Sequence, residues 1–135
     1  MGAMSHKAEG TFDVKMTPQP RDEAFGDASI GRMAIDKQLR GDLEATSKGE
    51  MLASRSPVDG SAGYVALERV TGTLHGKRGA FTLQHTGTMN RGVQQLTITV
   101  VPDSATGELT GLTGSLTILR DGNVHRYVFD YELPA

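Results

Sequence analysis

The chain of 135 residues is long enough to bury one hydrophobic core, and its 37% apolar and 22% charged residues are typical of a folded globular protein. A net charge of −2 without clustered lysine and arginine argues against nucleic-acid binding, which requires cations that displace counterions from phosphates. The absence of cysteine excludes disulfides and thiolate chemistry and fits a cytoplasmic location. Apolar stretches such as the one around residues 98–101 are far shorter than the ~20 residues that span a membrane.

Residues 1–5 are interpreted as a cloning remnant and a disordered N-terminus, and residues 6–134 as a single β-barrel domain. Alternation of apolar and polar residues, interrupted by proline and glycine turns, predicts eight strands. The predicted strands are residues 8–16, 29–39, 42–54, 64–74, 80–89, 95–101, 109–119 and 124–133. The polar residues 21–27 predict a loop between the first two strands, which is a candidate lid.

Glycines inside several predicted strands favour a closed barrel over an open sheet. They occur in the Thr-Gly pairs at residues 71–72, 86–87 and 113–114, and glycine within a strand marks a bend or bulge. Bends allow long strands to close into a barrel, and closure removes exposed edges. We therefore predict an all-β fold, a closed eight-stranded antiparallel barrel, with a β-sandwich as the alternative. A helix competes with the second and third strands, because Ile35, Leu39 and Leu43 recur every four residues, although Gly41 and Gly49 disfavour it.

The predicted hairpin of the fourth and fifth strands carries the most informative polar residues. If Lys77 and Arg78 form its turn, Glu68 and His85 are diagonal cross-strand neighbours on the apolar, inward face. Tyr64 lies on the same face. A buried carboxylate beside an imidazole is either a general acid/base pair or a hydrogen-bonded structural pair, and the structural interpretation is the more frequent one.

Other residues are candidates for lining a cavity. Aromatic residues alternate on the last strand and indicate either barrel core or the wall of a site for an apolar ligand. Glu44 and Glu50 would join the interior only if the polar face of the third strand lined the barrel. The candidate ligand-binding residues are Glu44, Glu50, Phe81, Met89, Tyr127, Phe129 and Tyr131.

Neither a metal site nor a cofactor is predicted. His75 and His85 have opposite parity in the hairpin and lie about 17 Å apart along it at the strand rise. Val65, Leu67 and Val101 are apolar but have the parity of the outer surface. Exposed apolar patches mark interfaces, so we expect a homo-oligomer.

Several phrases of the sequence resemble a bacterial family, the domain of unknown function 3224 family. They are residues 64–76 (YVALERVTGTLHG), 84–89 (QHTGTM), 100–104 (VVPDS) and 107–114 (GELTGLTG). The family is similar to the allene oxide cyclase barrel, which implies eight antiparallel strands, a central cavity and frequent oligomerisation. The plant cyclase closes a ring on a fatty-acid epoxide, and one of its catalytic residues is a cysteine that this chain lacks. No catalytic residue is therefore transferred from it.

Three functions are consistent with these observations. The favoured one is a barrel that binds a largely apolar small molecule in its cavity. The second is a cofactorless isomerase or cyclase in which Glu68 and His85 exchange protons with a substrate. The third is a structural or assembly protein with a filled barrel, which predicts no pocket of the roughly 300 Å³ that a small ligand needs.

Overall fold

The computed structural model describes residues 4–20, 27 and 29–134. Its elements are strands, and no helix occurs in these ranges. They are β1 (Met4–Pro18), β2 (Ile30–Gly41), β3 (Leu43–Arg55), β4 (Ala62–Leu74), β5 (Lys77–Asn90), β6 (Val93–Val100), β7 (Thr106–Gly107), β8 (Thr113–Asp121) and β9 (Val124–Leu133). Within the described ranges, no helix is long and apolar enough to cross a membrane.

Eight of the strands close into an antiparallel barrel. Their order is β4-β3-β2-β1-β9-β8-β6-β5, and β5 pairs with β4 to complete the circle. The prediction of a closed eight-stranded barrel is confirmed, and the strand rather than the helix forms at residues 43–55. The ninth strand, β7, is a two-residue addition that pairs with Gly79 and Ala80 of β5.

The β4–β5 hairpin differs from the prediction in its register. The turn residues are His75 and Gly76, with φ of 47° and 79°, rather than Lys77 and Arg78. Two consecutive positive φ values are the signature of a type I′ turn, whose twist matches that of a hairpin. Glu68 therefore pairs with Leu83 and not with Gly87. This shift of four residues is even, so every side chain keeps its predicted face.

The segment between β6 and β8 also differs from the prediction. The predicted strand 109–119 begins only at Thr113, because Leu109 and Leu112 turn inward and are fully buried. The chain at 101–112 thus forms a plug over one end of the barrel. It is tied down by Arg69, which donates to the carbonyl of Ser104 at 2.8 Å.

The two ends of the barrel are packed differently. The end covered by residues 101–112, here called the closed end, contains the large buried side chains Phe81, Leu74 and Phe129. The opposite, open end carries the β3–β4, β5–β6 and β8–β9 turns. The interior core is therefore concentrated in the closed half.

Two predictions concern segments that the structure describes only in part, the N-terminus and the loop at residues 21–27. Met4 and Ser5 belong to β1 and pair with Leu133 and Glu132, although residues 1–5 were predicted to be disordered. Residues 21–26 of the candidate lid lie outside the described ranges.

Candidate functional site

Among the described residues, four polar or charged side chains are buried inside the barrel, and strand alternation places all of them there. Lys37 follows Ile35 on the inward face of β2, and Ser47 follows Ala45 on that of β3. Glu68 and His85 occupy the inward faces of β4 and β5. Because β2, β3, β4 and β5 are consecutive neighbours, the four side chains converge on one patch of the barrel wall.

Glu68 is the centre of this cluster, with 1% of its surface exposed. Its Oε1 accepts a hydrogen bond from Ser47 Oγ at 2.6 Å. Its Oε2 accepts one from Lys37 Nζ at 3.0 Å and another from His85 Nε2. Both carboxylate oxygens are thus occupied by donors, as a buried carboxylate requires.

His85 connects Glu68 to Tyr64. Since Nε2 carries the proton donated to the carboxylate, Nδ1 of the neutral imidazole is an acceptor. The hydroxyl of Tyr64 lies 3.2 Å from Nδ1 and donates to it in that tautomer. Tyr64, His85 and Glu68 consequently form a continuous phenol–imidazole–carboxylate chain.

Burial and neighbouring charges act on the acidities of this chain. Burial raises the pKa of Glu68, but the His85 hydrogen bond, the Lys37 charge, the Ser47 hydrogen bond and the His85 charge together lower it from 4.5 to about 2. Burial, reinforced by the charge of Glu68, raises the pKa of Tyr64 above its ordinary value. At neutral pH the carboxylate is ionised and the phenol keeps its proton.

A cavity of about 380 Å³ at the open end reaches this cluster. Its walls are mainly apolar, and Lys37, Glu68, His85 and Tyr64 form its polar floor. The remaining lining residues are Phe12, Val14, Met16, Ile35, Met51, Ile118, Arg120 and His125. Lys37 Nζ lies 4.8 Å from the centre of the Phe12 ring, and Phe12 stacks on His125 at 5.1 Å. A neighbouring pocket of about 250 Å³ shares Met51 and Tyr64 with this cavity and also includes Met89.

Gly87 sets the position of the Tyr64 ring. The two residues are directly opposite in the β4–β5 ladder, and a Cβ at Gly87 would lie 2.4 Å from Tyr64 Cε1. The ring therefore lies over the bare glycine backbone. This glycine, which sequence analysis assigned to barrel bending, is required by the close approach of the phenol.

The three predicted acid/base residues come together, whereas most of the predicted ligand residues do not join them. Phe81 and Phe129 are fully buried at the closed end and stack at 5.7 Å. Tyr131 stacks on Phe129, and the Tyr127 hydroxyl donates to the carbonyl of Arg40. These aromatic side chains pack in the core and do not line the cavity at the open end.

The placement of Glu44 and Glu50 inside the barrel is wrong. Both are exposed on the outer face of β3, because Leu43, Ala45 and Ser47 occupy its inward face. Glu44 accepts a hydrogen bond from the amide of Gly41, and Glu50 pairs with Arg32.

Lys37 and Ser47 were not predicted as site residues, although the position of Lys37 in its strand indicates that it is buried. It stands between Ile35 and Leu39 at a spacing of two, so its parity is that of two buried residues. A lysine in phase with an apolar face indicates a buried cation with an anionic partner. Ser47 left a weaker signal, because a small hydroxyl fits either face. Within the described ranges, no three histidine or acidic residues lie close enough to hold a metal ion.

The fold and the site define a small closed barrel that is packed at one end and has a polar-floored cavity at the other. Residues 8–131 match the family described as "Protein of unknown function (DUF3224)", and the chain belongs to this family. It is similar to the crystal structure of a DUF3224 protein of unknown function from Shewanella oneidensis MR-1. The two chains are 46% identical with a TM-score of 0.90, and the match covers 98% of this chain and 99% of the other. No curated protein matches.

Proposed function

We propose that the protein binds a small, largely apolar molecule in the cavity at the open end of the barrel. The observation that carries this proposal is the combination of apolar walls with a buried, hydrogen-bonded floor formed by Lys37, Glu68, His85 and Tyr64. Ligand sites typically combine an apolar lining with a few fixed polar groups that orient the ligand.

The volume of the cavity favours binding over a purely structural role. A filled barrel would leave no pocket of the roughly 300 Å³ from which small-molecule sites begin. The cavity at the open end has about 380 Å³. The fully buried rings of Phe81 and Phe129 lie in the closed half.

A matched pair of tryptophan substitutions on β8 tests the proposal. Ile118 lines the cavity, whereas the adjacent Leu119 points outward and is exposed. We expect wild type and Leu119→Trp to bind 2-naphthol, a neutral bicyclic probe, with one site per chain in calorimetry. Ile118→Trp fills the cavity and should abolish binding. Equal binding by both variants, or no binding by the wild type, would overturn the proposal.

A second candidate is cofactorless proton transfer to a bound molecule, which the Tyr64–His85–Glu68 chain favours. The phenol lies at the cavity, and the imidazole between it and the carboxylate can accept a proton from the phenol at Nδ1 while it releases one from Nε2 to Glu68. In such an isomerisation, a proton leaves one carbon of the substrate and another is returned elsewhere. No cofactor is needed for this chemistry.

Hydrogen–deuterium exchange on a bound ketone distinguishes the two candidates. With 1-tetralone in D₂O, an enzyme would accelerate exchange at the carbon next to the carbonyl, as followed by proton NMR. His85→Gln should then lose the acceleration while the ketone still binds. If the wild type binds 1-tetralone without accelerating exchange, the protein acts on this ketone as a binding protein only.

A further inference from the structure

We propose that the ligand of the open-end cavity is an anion, an apolar molecule with a carboxylate group that the ammonium of Lys37 and the guanidinium of Arg120 bind. This inference rests on the proposed function and specifies the chemical class of the ligand. It is carried by the hydrogen-bonding capacity of Lys37 and by the charges that line the cavity.

Lys37 has more donors than partners. An ammonium group carries three N–H donors. Among the described residues, its Nζ donates one hydrogen bond, to Glu68 Oε2, and lies over the Phe12 ring. Only 7% of the side chain is exposed, so bulk water reaches it poorly. A buried donor without an acceptor is costly, and the cavity is the space from which an acceptor can approach.

In the structure, Glu68 accepts only one hydrogen bond from Lys37. Its Oε1 is bound by Ser47, and its Oε2 is shared by Lys37 and His85. A ligand oxygen is therefore the group that would satisfy the remaining donors. A carbonyl, hydroxyl or carboxylate oxygen can accept these hydrogen bonds. The net charge of the cavity lining determines which of the three groups binds best.

The charges on the described cavity walls do not cancel. Lys37 and Arg120 are positive, and Glu68 is the acidic residue among the lining residues. Arg120 has the inward parity of Ile118 and pairs across the ladder with His125, and no described acidic residue forms an ion pair with it. Lys37, Arg120 and Glu68 together give the lining an excess of one positive charge, without counting its histidines.

A carboxylate on the ligand would satisfy both the remaining N–H donors of Lys37 and the excess positive charge of the lining. It accepts hydrogen bonds from the buried ammonium or from the exposed guanidinium, and it neutralises the excess charge of the lining. An amide of the same shape offers only the hydrogen bonds. The site should therefore prefer an acid to its isosteric amide, and it should disfavour an organic cation.

The test compares 2-naphthoate with 2-naphthamide, which have the same ring system. We expect wild type to bind the acid about tenfold more tightly or better in calorimetry at low salt, since a charge-assisted hydrogen bond contributes at least this factor. The preference should weaken as salt is raised. Arg120→Gln should reduce it several-fold, and so should the doubly neutral Lys37→Met/Glu68→Gln, which leaves no unpaired buried charge.

The matched control is Arg126→Gln, which removes an exposed arginine of β9 outside the cavity. It should keep the full preference for the acid. Equal affinity of wild type for acid and amide would overturn the carboxylate inference while the binding of 2-naphthol still supported the proposed function. If Arg126→Gln reduced the preference for 2-naphthoate as much as Arg120→Gln, the preference would come from a general attraction of anions to the protein surface. This result would also overturn the inference. Failure of all three naphthalene probes would contradict the proposed function itself.

Discussion

Glu68 illustrates how a charge is kept inside a small barrel. Its carboxylate is balanced by one cation, Lys37, and it also accepts hydrogen bonds from a hydroxyl and an imidazole. Removing one member of such a cluster is costly, because it leaves the others buried and unpaired. The exposed ion pair between Arg32 and Glu50 on the outer face makes a direct comparison possible.

We expect Glu68→Gln to lower the free energy of unfolding by ~3–5 kcal/mol at neutral pH, because Lys37 loses its counterion inside the barrel. Glu50→Gln, which breaks the exposed pair with Arg32, should cost less than ~1 kcal/mol. Urea denaturation of the two variants measures the contrast. Similar costs would show that the interior cluster is far better solvated than its burial implies.

The acid dependence of stability should report on Glu68. Its pKa is lowered from 4.5 to about 2 in the folded protein, so its contribution is fully present above pH 4.5 and is lost as pH falls towards 2. A shift of this size corresponds to on the order of 3 kcal/mol. The difference in unfolding free energy between wild type and Glu68→Gln should therefore shrink across this pH range. A difference that stays constant from pH 5 to the acid limit of folding would contradict the assignment.

Gly87 offers a way to perturb Tyr64 without changing a polar group. A Cβ at Gly87 would lie 2.4 Å from the Tyr64 ring, whereas one at Gly63 would meet nothing closer than 3.7 Å. We expect Gly87→Ala to displace the phenol, break its hydrogen bond to His85 and cost ~1–3 kcal/mol. Nitrogen NMR shifts of the His85 ring should change in Gly87→Ala and not in Gly63→Ala. An unchanged His85 spectrum in both would contradict the role assigned to Gly87.

The inward orientation of Glu68, His85 and Tyr64 could be predicted from the sequence. An error of an even number of residues in the register leaves each side chain on the same face of its strand. The turn was misplaced, yet all three side chains still face the interior. The hydrogen bond that links Tyr64 to His85 could not be predicted, since it depends on the shape of the barrel. Lys37 could have been predicted by the same parity argument that identified Glu68.

The β4–β5 hairpin is the element that positions three of the site residues, Tyr64, Glu68 and His85, and its turn fixes their register. His75 and Gly76 both have positive φ, and the predicted turn at Lys77 and Arg78 would have placed Glu68 opposite Gly87. Sequence analysis assigned the turn to the Gly-Lys-Arg-Gly segment because glycines flank it. The type I′ geometry instead uses the first of these glycines.

Gly76→Ala should weaken this hairpin. At φ of 79°, an alanine is strained even though a Cβ there would meet nothing within 4 Å, so we expect a loss of ~1 kcal/mol. Gly31→Ala is the control, because its Cβ also enters open space but its φ is not positive. Denaturation curves should show a loss for Gly76→Ala and none for Gly31→Ala. Equal effects would mean that the positive φ does not limit the turn.

The inward fold of residues 101–112 was not predicted, and part of this segment was assigned to a strand. Its apolar residues Leu109 and Leu112 read as the start of a strand, yet they fold inward over the closed end. Apolar residues in a plug and in a strand have no distinguishing period over so few positions. The eight long strands were predictable, because each has enough alternation to define a face.

At the scale of the whole molecule, the barrel divides into a packed half and an open half. The closed end holds the stacked aromatic side chains, and the open end holds the cavity with its polar floor. One half is therefore filled with core side chains, and the other encloses the cavity in which we propose that a ligand binds. The resemblance to the allene oxide cyclase barrel agrees with such a cavity but stays a prediction.

The exposed apolar residues on the outer face of the barrel lead us to expect self-association, which substitutions there can test. Leu52, Val65 and Leu67 on neighbouring strands are each about half exposed, at 49%, 51% and 54%. We expect a second copy of the chain to cover them and Leu67→Lys to shift the mass measured by light scattering towards the monomer. Thr71→Lys, on the same face of β4, is the control. A wild type that is monomeric at high concentration would contradict the expectation.

Methyl NMR during titration with 2-naphthol tests the central claim, the ligand cavity at the open end, most directly. The methyl groups of Val14, Ile35 and Ile118 line the cavity, whereas those of Val65 and Leu67 lie on the outer face. We expect saturable shifts that are largest at Val14, Ile35 and Ile118, with Val65 and Leu67 unchanged. Shifts confined to the outer face, or none at saturating probe, would contradict it.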